Sequence, residues 1–287
     1  MKVYITSDSS CDLSKELLEK YDIKTLPFSV TMGDELYIDG VDITPEMIFA
    51  YVKENKKLPK TSAVNEEQFA EFFTKVLGND ANAYVVHIGL SSGLSCSYSN
   101  SVAASERFGG HVVSVDGKNL STGTGLLVLY AAELAKQGLS AKEIKEKVEE
   151  RVNAVQASFI IEETEYLYRG GRCSALSMLG ANLLKIKPRI QVIDGKMKNT
   201  GKPRGKMIAV LKQYVDETLK EFNNPDKTRC FITHSSIEPE IANEIVEYVK
   251  AKNIFNEVHL TTAGATITCH CGKGTLGLLY INDGGKA

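Results

Sequence analysis

An α/β fold of two units is what this 287-residue sequence predicts, and three observations carry that reading. Strand-like apolar runs alternate with helical stretches along the whole chain, the pattern of mostly parallel sheets. Several runs are nearly continuous in apolar residues, as strands covered on both faces are. The length suits one large domain or two of ordinary size, and a long polar helix near the middle ends just before a fresh strand. The expected cut falls near residue 155, giving units 1–155 and 156–287 with a ligand cleft between them.

In chain order the expected strands cover 3–6, 24–30, 83–88, 112–115, 159–161, 186–193, 228–233, 257–261 and 275–281. Between them, Thr44-Pro45 opens a helix with a capping hydroxyl and a proline at the first helical position. Asn65 begins another, in which Phe69, Phe72, Phe73, Val76 and Leu77 form one stripe before Gly78. A helical pattern covers 95–107, and a longer one covers 141–156. The latter starts at a Ser140/Glu143 capping box and carries Ile144, Val148, Val152 and Val155 on one face.

Composition excludes several function classes. The chain is 43% hydrophobic and 24% charged, enough for a sizeable core. A net charge of −2 gives no global field for nucleic acid or anionic membrane. No apolar run approaches ~18 residues, so no membrane-spanning helix is expected. The first eight residues turn polar too soon for a signal peptide, which makes the cytoplasm the expected location. Cysteines 11, 96, 173, 230, 269 and 271 match neither a zinc site nor a disulfide framework. Reduced, mostly buried thiols and no metal are expected, although Cys269-His270-Cys271 is metal-like at first glance.

The stretch VVHIGLSSGLSCSYSNS, residues 85–101, carries the chemistry. Read literally, Gly89-x-Ser91-x-Gly93 between a strand and a helix is the nucleophile elbow of a serine hydrolase. Asp194 or Asp226, then His234 or His270, would complete a triad. No upstream loop resembles a second oxyanion donor, and several serines compete for the role. A second reading uses the hydroxyls together. The turn lies at a helix N-terminus, where free amides favour a carboxylate or phosphate, and Ser92 and Ser95 add donors. A third is a capped turn without a ligand. A second hydroxyl pair, Thr61-Ser62, follows Pro59-Lys60, and His270 lies in a glycine-bearing turn before the last strand. Hydroxyls from the first unit and His270 from the second can meet in a cleft.

Six stretches, in order, resemble the DegV family of bacterial fatty-acid-binding proteins. They are Asp8-Ser9-Ser10-Cys11-Asp12-Leu13, Pro59-Lys60-Thr61-Ser62, Leu90-Ser91-Ser92-Gly93-Leu94-Ser95, Leu167-Tyr168-Arg169-Gly170-Gly171-Arg172, Leu184-Lys185-Ile186-Lys187-Pro188 with Asp194-Gly195, and His270-Cys271-Gly272-Lys273-Gly274. The resemblance implies two α/β domains holding one long-chain fatty acid, such as palmitate, between them, with no chemistry and no further cofactor. It implies that Thr61 and Ser95 hold the carboxylate, with Ser62, Ser92 and His270 nearby. It also implies presentation of the acid to a fatty acid kinase that makes an acyl phosphate. Three loops depart from the family pattern: Ala63-Val64 after Thr61-Ser62, Cys96-Ser97 after Ser95, and Lys273 where proline is usual. The runner-up is a serine hydrolase acting on acyl esters through the Gly89-x-Ser91-x-Gly93 turn.

The physics agrees with a carrier. A buried carboxylate must be hydrogen-bonded or neutralised, while the tail supplies affinity, roughly 11 kcal/mol for the ~14 methylenes of palmitate before association costs. Met178, Leu179, Leu183 and Leu184 read first as ordinary core and second as a wall for that tail. Lys196, Lys198, Lys202, Arg204 and Lys206 occur without an acidic residue among them. The plain reading is a solvated hairpin, and no aromatic residues interleave with the charges, which argues against nucleic acid. The resemblance places kinase docking near Arg204 and Lys202, where charge suits a transient partner.

Overall fold

The computed structural model describes residues 2–173 and 186–285. In chain order the first half forms β1 (Lys2–Asp8), α1 (Lys15–Lys20), β2 (Lys24–Leu26), β3 (Ser29–Met32), β4 (Glu35–Ile38), α2 (Pro45–Asn55) and β5 (Lys60–Ser62). It continues with α3 (Glu66–Leu77), β6 (Ala83–Gly89), α4 (Ser97–Ser105), β7 (Val112–Asp116), α5 (Thr122–Lys136) and α6 (Ala141–Val152). The second half forms β8 (Val155–Ile160), α7 (Thr164–Gly170), β9 (Arg189–Ile193), β10 (Lys196–Gly201) and α8 (Met207–Glu221). It ends with β11 (Arg229–Ser235), α9 (Pro239–Lys250), β12 (Glu257–Thr262), α10 (Ala265–Cys271) and β13 (Thr275–Ile281).

The sequence signals explain where these elements start. Thr44 accepts the Met47 amide ahead of Pro45, and Asn65 and Ser140 form full capping boxes with Gln68 and Glu143. The expected strand over 24–30 is two strands, because Pro27 donates no hydrogen bond and the chain changes sheets there. The helix expected to run to 156 stops at Val152, since Val155 and Gln156 pair with Ile281 and Tyr280 instead. Pro188 likewise delays the strand expected at 186 until Arg189.

Two α/β units with helices on their sheets are present, but the sheets differ. The order β2-β1-β6-β7 is parallel throughout, as expected. The second sheet, β10-β9-β8-β13-β11-β12, corrects the expectation of mostly parallel strands: only β11 and β12 run parallel. The reasons are local and topological. Asp194 and Gly195, both at positive φ, close β9 onto β10 as a two-residue hairpin. The last strand, β13, inserts between β8 and β11 with opposite sense.

Helix α5 is buried at most of its positions and packs on β1 and β6 of one sheet and on β8 and β13 of the other. A helix apolar all round belongs in such a sandwich. Helices α3 and α4 cover the far face of the first sheet, and α8 and α9 that of the second. A small antiparallel sheet, β4-β3-β5, joins α2 and packs through Val30, Met32, Ile43 and Ile48 on Tyr166, Ala265 and Cys269 of the second half. Residues 29–62 are thereby brought against α7 and α10. Of the cysteines, Cys96 is exposed and the other five are buried. Among the described residues, no helix is long and apolar enough to cross a membrane.

Candidate functional site

A cavity of about 270 Å³ opens where β5 and the serine turn of the first half meet α10. Strand β5 contributes Thr61 and Ser62, the serine turn contributes Leu90, Leu94, Ser95 and Cys96, and α10 contributes Thr266, Ile267, His270 and Cys271. Phe28, Leu120 and Met197 complete an apolar wall, and Arg172 is its one formally charged lining side chain among the described residues. Of the expected site residues, Thr61, Ser62, Ser95 and His270 therefore lie together. The expected wall at Met178, Leu179, Leu183 and Leu184 falls outside the described residues.

Two hydroxyl loops and a histidine make the polar end. Thr61 Oγ1 lies 2.9 Å from His270 Nε2. Ser95 Oγ accepts the Ser97 amide at 3.2 Å, which leaves its proton free to donate. Burial pushes the His270 imidazole down to about 4, and the nearby Arg172 guanidinium pushes the same way. The ring is therefore neutral near pH 7. Among the described residues its Nδ1 is buried without a partner, against Gly170, where an added Cβ would sit 2.7 Å away. Hydroxyls, a guanidinium and an imidazole on one cavity lining can serve an anion, whose negative charge would raise the basicity of the ring.

Ser92 does not line the cavity. Its amide and hydroxyl bind the Asp116 carboxylate at 3.1 and 2.5 Å, so its side chain turns to β7. Ser91 is fully buried and donates to the Gly195 carbonyl at 2.7 Å, tying the serine turn to the β9–β10 hairpin. Gly93 serves the same approach: a Cβ there would lie 2.6 Å from the Gly195 oxygen. Close packing thus explains Ser91 and Gly93 of this turn's Gly-x-Ser-x-Gly pattern. Neither proposed triad histidine hydrogen-bonds Ser91 or Ser92; His270 holds Thr61, and His234 Nδ1 is buried without a partner among the described residues.

Sequence reasoning missed Arg172 and Met197 as lining residues. Arg172 stood in the quoted Gly-Gly-Arg stretch, where Gly171, at a φ of 70°, caps α7 and the chain turns toward the cavity. Met197 was legible as the buried residue between exposed Lys196 and Lys198 on β10. Lys202 and Arg204 are exposed in the loop after β10 and do not line the cavity.

Comparison with known proteins agrees over the whole chain. A family model described as an uncharacterised protein of the DegV family matches residues 2–283. A DegV domain-containing protein of Clostridium perfringens is 30% identical over 285 residues, covering 98% of this chain and 99% of its own. Among solved structures, a fatty-acid-binding DegV family protein from Thermus thermophilus superimposes with a TM-score of 0.91 at 26% identity, over 99% of this chain and 100% of that one. A stearic-acid-binding protein from Eubacterium ventriosum gives a TM-score of 0.85 at 27% identity, over 98% of each chain. By sequence and by fold, this chain belongs to the DegV family.

Proposed function

We propose that this protein binds one long-chain fatty acid non-covalently and does no chemistry on it. Thr61 and Ser95 donate to the carboxylate, Ser62 and Arg172 border it, and His270 balances its charge. The acyl chain lies along Phe28, Leu94, Leu120, Met197 and Ile267. The observation that carries this reading is the Thr61–His270 contact in a mainly apolar cavity, supported by the fatty acids bound by structurally similar relatives. Both supplies are needed: tail burial for affinity, and hydrogen bonds so that the charge is not stranded. Native mass spectrometry of protein purified from cells is the direct test. A stoichiometric fatty acid is expected, and esterase turnover lost in Ser91→Ala would overturn the reading.

The bound acid is presented to a fatty acid kinase. Met197 faces the cavity while Lys196 and Lys198 face outward on the same strand, and Lys202 and Arg204 follow in the next loop. A cationic surface therefore backs one cavity wall, and it suits an acidic, transient partner.

A further inference from the structure

The opening stretch, Asp8 to Leu13, has no place in the cavity, yet its acidic residues bond the start of the serine turn and the start of α10, two of the segments that line it. Asp8 is fully buried; one carboxylate oxygen accepts the Leu90 amide at 2.8 Å, at the entry to the serine turn. The other accepts the amide and hydroxyl of Ser10. Asp12 accepts the Gly264 amide at 2.9 Å and the hydroxyl of Ser121. Ser121 holds a φ of 52° and ψ of −145°, a conformation rarely adopted by a residue with a side chain, and it follows the cavity residue Leu120 directly. Asp39 accepts the Ala265 amide at 2.8 Å, the Thr266 amide at 3.3 Å and the Ser9 hydroxyl at 2.9 Å. Ser9 in turn accepts the amide of Phe28, another cavity residue, at 3.0 Å.

The three amides that open α10 are thus all taken by two carboxylates from the first half of the chain. Gly264 is squeezed between them: a Cβ there would sit 3.1 Å from an oxygen of each. No ion pair reaches Asp8, Asp12 or Asp39 among the described residues. Burial accordingly pushes Asp8 up to about 6 and Asp12 well above its ordinary value. Buried carboxylates without a cation are costly to keep. Here they gain amide and hydroxyl donors, and the seven-residue α10 gains a fixed position and angle. That helix carries Ile267, His270 and Cys271 into the cavity.

We propose that Asp12 and Asp39 are positioning residues for the fatty-acid site, acting through α10 to hold His270 against Thr61. The inference rests on His270 as a carboxylate-facing group, but its primary readout needs no lipid. Asp39→Asn keeps the shape while turning an N–H₂ toward an amide donor, so one α10 bond is lost. In lipid-free protein, imidazole NMR resonances of His270, identified by their absence in His270→Gln, are expected to shift in Asp39→Asn and Asp12→Asn. Those of His87 and His111 stay in place. Palmitate affinity is expected to fall about tenfold in each, and about threefold in the milder Ser9→Ala. Val249→Ala, in the core between α9 and the second sheet, controls for stability and leaves both readouts unchanged. If the aspartate variants fail to fold, Ser9→Ala decides alone. Unmoved His270 resonances with wild-type affinity, or an affinity loss matched by Val249→Ala at equal loss of Tm, overturns the positioning role. Unchanged palmitate binding in Thr61→Ala and His270→Gln would sink the site reading instead, while leaving the His270 shift in Asp39→Asn standing.

Discussion

The cavity of about 270 Å³ around His270 has a counterpart of about 230 Å³ on the other side of the serine turn, bounded by residues of both halves. The counterpart is lined by Asn119, Asn153, Gln156, Gln191 and Asn282, with Lys118 and Asp194. The two are similar in size, and the Ser91–Gly195 bond ties their walls together. Their chemistry is opposite. In the first, Phe28, Leu90, Leu94, Leu120, Met197 and Ile267 form an apolar wall beside a few hydroxyls, His270 and Arg172. In the second, side-chain amides and charges recur among a few apolar residues. An amphiphile needs polarity segregated, because its charge must be solvated and its tail must not strand polar groups. Volume alone does not make a lipid site; the distribution of polarity does.

The largest expected effect breaks the first cavity and spares the second. Ile267→Asp places an unpaired carboxylate on the acyl wall and is expected to weaken palmitate binding by roughly 100-fold or more. Gln191→Asp, an equal change of charge in the polar cavity, is expected to leave it within about twofold. Fluorescent fatty-acid displacement measures both, and equal losses would dissolve the distinction.

A smaller effect sharpens the assignment within the serine turn. Thr61→Ala and Ser95→Ala are each expected to cost about 1.5–3 kcal/mol of binding, as hydrogen bonds to a charged group do. Ser92→Ala is expected to leave affinity unchanged, since that hydroxyl is committed to Asp116. Calorimetric titration with palmitate gives the three values.

Protonation supplies the next test. The lipid-free His270 ring charges only near pH 4, and a bound carboxylate raises that value. Binding at pH 6 should therefore take up a fraction of a proton, read from calorimetry in two buffers of different ionisation enthalpy and lost in His270→Gln. For lipid-free stability the sign is opposite. With the folded value below 6.5, the contribution of His270 is complete above pH 6.5 and is lost as pH falls toward 4.

The smallest effect on the lipid belongs to the outer surface. Arg204→Ala is expected to leave palmitate affinity unchanged while slowing kinase-dependent acyl phosphate formation, most visibly at low salt. Lost lipid affinity with unaltered coupling per bound lipid would make that loop part of the cavity.

Much of the molecule was written locally. The capping boxes at Asn65 and Ser140, the Phe69–Phe73 stripe and the apolar runs of β1, β6 and β13 each specify an element from neighbouring residues, so α/β alternation follows from sequence. The hydroxyl pairs and His270 were legible as candidates because those residue types offer donors to an anion, although His270 sits in the last turn of α10 where a glycine-bearing turn was expected. Only the tertiary structure decided which serine serves the cavity. Ser91, Ser92 and Ser95 have similar local surroundings, and their roles depend on the Gly195 carbonyl, the Asp116 carboxylate and the cavity mouth, all distant in sequence. Sense and order of the second sheet were decided the same way, because β13 finds its place only when β8 and β11 are already opposite one another. Arg172, Asp12 and Asp39 likewise acquire meaning from α10, brought to them by the fold: a charge or a hydrogen bond acts across a few ångströms, whatever the number of residues between its partners.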